Sequence, residues 1–253
     1  MKLTDLNNYL NQLLKPEQFT DYCPNGLQVE GRAEIQHIVT GVTASYDLLE
    51  AALAVKADAI LVHHGYFWRG ESAAITGTKK RRIQFLLQHD ISLIAYHLPL
   101  DAHTEFGNNV MLAKQLGLAV TGWAGQKNKN ESNMLLLAEL STPLSLKEFA
   151  QIMDIKLNRA PQVIGDLTQI VQKVALCTGA AQGYIEQAVE AGVDVYISGE
   201  ISEPTVHIAR ETGVSYIAAG HHATERYGVQ ALGAHLAEKF GLTHTFIDCD
   251  NPV

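Results

Sequence analysis

The sequence predicts an α/β protein made of two similar units. Three observations carry this. Short apolar runs that read as buried strands alternate with stretches at helical spacing, the order strand, helix, strand occurs once in each half, and His or acidic residues stand directly after the strands. At 253 residues and a prior of about 150 per domain, the chain has room for one or two domains.

Leu3, Leu6, Leu10, Leu13 and Leu14 predict an amphipathic helix within 1–19, because Asp5 and several Asn stand where an export signal needs an apolar core. The turn signal Cys23-Pro24-Asn25-Gly26 leads to a strand over 37–42 and a helix over 46–55. Ala59-Ile60-Leu61-Val62 is the pattern of a strand buried on both faces, with His63 and His64 at its end. A polar loop carrying Tyr66, Phe67, Trp68 and Arg69 follows, then a helix over 80–88 and a strand over 91–95. His97 and Asp101 come next, and Pro99 between them predicts a loop. The polar segment 123–133 reads as a linker with a domain boundary near residue 125, and a new apolar run starts over 134–140.

The second half predicts a strand over 173–177, a helix over 184–190 and a strand over 194–198 that ends in Gly199-Glu200. A helix over 203–211, a strand over 215–219, the triplet Gly220-His221-His222 and a helix carrying Val229, Leu232, Leu236 and Phe240 complete it. Laid over the first half at an offset of 136, the pairs Ala44/Ala180, Glu50/Glu186, Ala52/Ala188 and Asp58/Asp194 are identical. An offset of 123 then aligns 91–95 with 214–218, and the pattern points to internal duplication.

Composition excludes several function classes. With 19 Lys and Arg against 27 Asp and Glu, the charge is −8, so there is no basic field to attract nucleic acid without sequence preference. No apolar run approaches the ~18 residues of a membrane span. Cys23, Cys177 and Cys249 are odd in number and far apart, which fits neither a disulfide framework nor a thiolate site and predicts a cytoplasmic protein.

Four strand ends carry donors: His63 and His64; His97 with Asp101; Glu200; and His221 with Glu225. Ligands of open α/β sheets collect at such ends. His221 and Glu225 are four apart at a helix entry, so one turn places both on one face. Imidazole and carboxylate donors favour a borderline divalent ion: zinc, manganese, iron, cobalt or nickel. Two such ions, bridged by a carboxylate for which Glu225 is the best candidate, supply hydroxide at neutral pH, and hydrolysis is the reaction class expected.

The segments Pro24-Asn25-Gly26-Leu27-Gln28-Val29-Glu30-Gly31, Val62-His63-His64-Gly65-Tyr66-Phe67-Trp68, Tyr96-His97-Leu98-Pro99-Leu100-Asp101-Ala102-His103, Ser198-Gly199-Glu200 and Gly220-His221-His222-Ala223-Thr224-Glu225-Arg226 resemble the bacterial GTP cyclohydrolase I type 2 homologs. These form the Nif-three-like dinuclear-metal family, and the chain resembles its short YbgI-type branch. The resemblance implies two interlinked three-layer α/β domains, a two-metal site in the cleft between them and a toroidal homohexamer. It implies the metal ligands His63, His64, Asp101, His221 and Glu225. His97, Glu200 and His207 are the candidates for supporting the ligands or transferring protons. The paired ligand clusters imply that the C-terminal segment returns to the first domain, so that residues 1–124 and 218–253 form one domain and 125–217 the other. The expected activity is hydrolysis of a nucleotide-like small molecule, with GTP ring opening by metal-bound hydroxide as the family name suggests. Phosphoester hydrolysis is the alternative within enzymes, and a non-catalytic metal-binding or metal-delivery hexamer the alternative outside them.

Overall fold

The computed structural model describes residues 1–124 and 134–253. The expected linker, beyond Trp123 and Ala124, and the boundary near residue 125 lie outside the described residues. Two compact units are present, one formed by residues 1–100 with 228–250 and the other by 101–227 with 251–253.

The first unit begins with α1 (Leu3–Leu14), β1 (Gly26–Val29), β2 (His37–Thr43), α2 (Tyr46–Ala54), β3 (Ala59–His64), α3 (Gly77–His89) and β4 (Ser92–Ala95). Helix α4 (Leu98–Ala102) crosses into the second unit, which continues with α5 (Asn108–Leu116), β5 (Ala119–Ala124), β6 (Leu135–Ser145), α6 (Leu146–Leu157) and β7 (Gln162–Ile164). It proceeds through β8 (Ile170–Cys177), α7 (Ile185–Glu190), β9 (Val195–Ser198), α8 (Glu203–Thr212) and β10 (Ser215–Ala218). Helix α9 (His221–Phe240) starts in the second unit and ends in the first, where β11 (Thr243–Phe246) follows.

The first sheet has the order β1-β4-β3-β2-β11, all parallel except β1. The second has the order β5-β6-β8-β9-β10-β7, with β8, β9 and β10 parallel and the other strands paired antiparallel. The predicted repeat is present in the registers. Ile38 pairs with Ala59 and Ala59 with Ser92, while Val174 pairs with Val195 and Val195 with Ser215, at the offsets of 136 and 123 read from the sequence. The flanking antiparallel strands keep step as well, Leu27 facing Ile94 and Val163 facing Ile217. A side chain repeats too. Asp58 accepts from the backbone N–H groups of Gln36 and His37 at 2.8 and 2.9 Å, and Asp194 from those of Gln172 and Lys173 at 2.9 and 2.7 Å. Each carboxylate fixes where one strand begins against the next.

Each unit has its own core. In the first, Val39, Ile60, Val62 and Leu93 of the sheet pack with Leu48, Leu49, Ala52 and Leu86 of α2 and α3. In the second, Leu136, Val174, Val195 and Ile217 pack with Leu112 of α5 and Phe149 and Met153 of α6. Buried apolar area of this kind contributes roughly 25 cal/mol per Å².

The structure differs from the sequence reading in three places. The stretch containing Pro99 is the short helix α4 and not a loop, because Pro99 lies in its first turn, where a missing N–H removes no intrahelical bond. Residues 26–29 form β1 where only a turn was expected. The units divide after Leu100 and Tyr227, whereas the expected boundaries were at 124/125 and 217/218. Helix α5 explains the first difference in boundary, since Leu112, Ala113 and Leu116 pack with α6 and β8, and β5 pairs with β6. Strand β10 explains the second, being held between β9 and β7. Among the described residues no helix is long and apolar enough to cross a membrane.

Removing either repeated carboxylate leaves two backbone donors without their partner, so Asp58→Ala and Asp194→Ala are each expected to lower stability by about 1–3 kcal/mol in urea unfolding. Asp58→Ala is expected to cost more, because Asp58 is buried and also takes Arg32 at 2.8 Å. A change below about 0.5 kcal/mol in both variants would refute the role given to these acids.

Candidate functional site

In the first unit, β3 ends in His63 and His64, and the chain leaving the neighbouring parallel strand β4 continues through Tyr96 to His97. Parallel pairing therefore sets three imidazoles side by side. Ring centroids are 4.6 Å apart for His63 and His64, 5.1 Å for His63 and His97, and 5.7 Å for His64 and His97. One nitrogen from each ring lies within 4.8 Å of the others.

All three rings are held through Nδ1. His63 Nδ1 bonds the Tyr96 carbonyl at 3.0 Å, His64 Nδ1 the Thr43 hydroxyl at 3.0 Å, and His97 Nδ1 the Asp21 carboxylate at 2.7 Å. A carbonyl and a carboxylate only accept, so His63 and His97 carry the proton on Nδ1. That assignment makes Nε2 the nitrogen suited to a ligand, the arrangement metal-binding histidines require.

Asp21 is the hub of this anchor and was not picked out from the sequence. Its Oδ1 accepts from Tyr22 N and His97 Nδ1 at 2.6 and 2.7 Å, and its Oδ2 from Asn25 Nδ2 and Leu98 N at 2.8 and 3.0 Å. Asn25 Oδ1 in turn accepts from His97 N at 2.7 Å. Burial would raise the Asp21 pKa, but the bonds from His97 and Asn25 outweigh it and hold it at about 2. Asp21, Cys23 and His97 also have donor atoms within 4.8 Å of one another. They do not fit a metal, because four donors already occupy the Asp21 oxygens and burial, with Asp21 adding to it, pushes the Cys23 thiol up to about 12.

In the second unit the donors gather at the end of β8. The Thr178 hydroxyl and Asn108 Nδ2 donate to Asp101 Oδ1 at 3.2 and 2.8 Å. Gly179 N donates to Thr224 Oγ1 in the first turn of α9 at 3.1 Å. On that turn His221 and Glu225 meet as the spacing predicted, Nε2 to Oε2 at 3.2 Å, while His221 Nδ1 bonds Glu200 Oε1 at 2.7 Å. Burial would lower the His221 pKa, but Glu225 first and Glu200 second raise it to about 9. The buried Cys177 thiol is pushed well above its ordinary range by burial and then by Asp101 and Glu225, so both carboxylates act on the same strand end. Gly179 is the floor of this site. Its φ is +69°, and a Cβ there would collide with Glu225 Oε1 and stand 3.2 Å from His221 Nε2.

The structure thus brings together His63, His64 and His97 in one unit, and Glu200, His221 and Glu225 with Asp101 at the same strand end in the other. His63, His64 and His97 form a group that could hold a metal ion, and imidazole and carboxylate donors are the kind that suit borderline divalent ions. Among the described residues His207 is not joined to this group. It is exposed on α8, 3.1 Å from Glu203 one turn earlier, and a surface helical pair accounts for it.

Residues 1–252 match the profile of the family described as Duf34/NIF3 (NGG1p interacting factor 3). The chain is similar to a Pseudomonas aeruginosa protein named GTP cyclohydrolase 1 type 2 homolog, 54% identical and covering 99% of this chain and 98% of the relative. It is also similar to a solved structure described as protein ybgI, unknown function, with a TM-score of 0.94 at 48% identity over 100% of both chains. The structure of TTHA1606 from Thermus thermophilus has a TM-score of 0.88 at 35% identity, again over 100% of both.

Two outcomes follow from this geometry. Gly179→Ala, combining left-handed backbone strain with a clash at Glu225, is expected to abolish metal retention while Gly192→Ala, also at positive φ but with open space around it, does not; equal metal content by elemental analysis in the two variants would count against the floor. For Asp21, a folded-state pKa below the ordinary 3.8 means a stabilisation present above about pH 4 and lost as pH falls towards 2. The stability gap between wild type and Asp21→Asn should be on the order of 2 kcal/mol at pH 7 and shrink below pH 4, and a gap independent of pH would contradict the assignment.

Proposed function

The chain belongs to the Duf34/NIF3 family, and on that premise we propose that it is a metal-dependent hydrolase of a nucleotide or related heterocycle, with two divalent ions held by His63, His64, Asp101, His221 and Glu225. The observation that carries the proposal is the orientation of the imidazoles. Rings fixed through Nδ1 by a carbonyl, a hydroxyl and a carboxylate are prepared to ligate through Nε2 without further ordering. The name of the Pseudomonas aeruginosa relative supports GTP ring opening as the form of hydrolysis.

A divalent ion bound by these donors lowers the pKa of water towards ~7 and polarises a substrate oxygen. The chain's own residues do the rest. Glu225 offers two carboxylate oxygens and is suited to bridge. Glu200 fixes the His221 ring through Nδ1, and Thr178 with Asn108 fixes Asp101. His97, its Nδ1 proton committed to Asp21, accepts and returns a proton at Nε2 during ring opening. Opening of the purine at C8 consumes two waters and releases formate, leaving the triphosphate intact. The reading takes the working form to be a homohexamer.

Protein purified without added metal is expected to carry about two ions per chain, to lose them in His64→Ala and Glu225→Ala with an unchanged circular dichroism spectrum, and to release formate from GTP. His97→Ala is expected to keep its metal and lose turnover about 10²- to 10⁴-fold. Inorganic phosphate in place of formate would redirect the reading to phosphoester hydrolysis. Full metal occupancy with no turnover across a nucleotide panel would leave metal storage or delivery in place of catalysis.

A further inference from the structure

We infer that Tyr22, Trp68 and Arg69 form a recognition wall beside the three histidines, for a ligand that is planar, aromatic and phosphorylated; the inference names the substrate contacts of the reading above and rests on it. Tyr22 is a large aromatic residue left 56% exposed, where the other Tyr, Phe and Trp rings of its unit are buried or half-buried. It is nonetheless held. Its N–H donates to Asp21 Oδ1, its carbonyl accepts from Arg69 N at 2.6 Å, and its ring stands at 65° to the His97 ring with centroids 6.2 Å apart. An exposed ring on a fixed backbone, next to imidazoles suited to a metal, is prepared for stacking.

Trp68 also stands against His97, with ring centroids 5.1 Å apart and planes at 84°, and lies 5.9 Å from the His64 ring. Its indole N–H donates to the Gly65 carbonyl at 3.2 Å, and its backbone N–H to Glu71 Oε2 at 3.1 Å. Phe67, immediately before it, adopts φ +67°, a left-handed conformation that L side chains rarely take. The reversal lets Phe67 pack on the core, under Lys79 Nζ at 5.0 Å, while Trp68 takes its place by His64 and His97.

Arg69 supplies the charge. Its guanidinium carbon lies over the Tyr22 ring, 5.6 Å from the centroid, and Nη2 donates to the Asp21 carbonyl at 2.6 Å, so an exposed cation is held against the exposed ring. Lys79 belongs to the same loop through Glu71 at 3.4 Å and the Ser72 carbonyl at 3.0 Å, and opens the run Lys79-Lys80-Arg81-Arg82. Four cations in the first turns of α3 oppose the helix dipole, so they do not serve the helix. Arg81 and Arg82 are drawn over Tyr46 and Tyr66, which leaves Arg69, with Lys79 on the same loop, as the positive charge at the aromatic wall, and a guanidinium suits phosphate oxygens.

The test is isothermal titration of the purified full-length protein, as isolated, with GTP and with guanosine, alongside tryptophan fluorescence and metal analysis. Wild type is expected to bind both, with quenching that disappears in Trp68→Phe. Tyr22→Ala should weaken both ligands about 10- to 100-fold and Tyr22→Phe restore them, as loss and retention of one stacking contact require. Arg69→Ala should weaken GTP about 10-fold or more and leave guanosine unchanged. Metal content should be the same in every variant. GTP binding equal to wild type in Tyr22→Ala and Arg69→Ala, or no binding of either ligand to wild type, overturns the wall. Wall-dependent binding by a protein that takes up no metal upholds the wall and removes the hydrolase reading instead.

Discussion

The parallel pairing of strands that end together is the constraint from which the chemistry of both units follows. Pairing Ala59 with Ser92 fixes β3 beside β4, and counting outward from that pair puts His63 and His64 next to the chain that leaves β4 for His97. A slip of one residue would turn His63 and the apolar set of β3 to opposite faces. The sheet resists that slip because β3 is buried on both sides, Ile60, Leu61 and Val62 all being shielded from solvent. Packing of ordinary aliphatic residues therefore specifies the position of the imidazoles.

The same device occurs in the second unit with different residues. Offset by 136, His64 corresponds to Glu200, and offset by 123, Leu98 corresponds to His221. Each repeat thus places a donor at the end of its middle parallel strand, and the second has exchanged an imidazole for a carboxylate there. The exchange changes the task. His64 is oriented by a threonine behind it, whereas Glu200 is itself the orienting group, bonded to His221 Nδ1. The outer neighbours diverge further, since β11 runs parallel to β2 but β6 runs antiparallel to the equivalent β8.

What could be read in the sequence was what local pattern encodes. The apolar tetrad before His63, the four-residue spacing of His221 and Glu225, and the repeat offsets all appear in the structure because each depends on neighbours in the chain or on a register that the tetrad fixes. The carboxylate behind His97 was not legible. Asp21 and His97 are 76 residues apart, and an aspartate in a turn segment that also holds Asn25 looks like ordinary turn chemistry until the sheet delivers its partner. The unit boundaries were missed for a related reason. Helix α5 carries no signal of which sheet it will cover, and only the packing of Leu112 and Leu116 against Phe149 and Met153 assigns it. His207 was singled out by residue type alone, and its exposure on α8 shows how little a lone histidine says without a strand end beneath it.

His221 shows how the second unit's donor group balances its charge. Its Nδ1 faces Glu200 and its Nε2 faces Glu225, so the doubly protonated ring is a cation held between two carboxylates, which is why its pKa rises despite burial. Charge balance at Glu225 is met by a proton on Nε2. A divalent cation could meet the same demand, since a metal ligates a deprotonated imidazole nitrogen and a carboxylate and so competes with the proton for both. The Gly179 floor keeps that edge open by leaving no Cβ against Glu225.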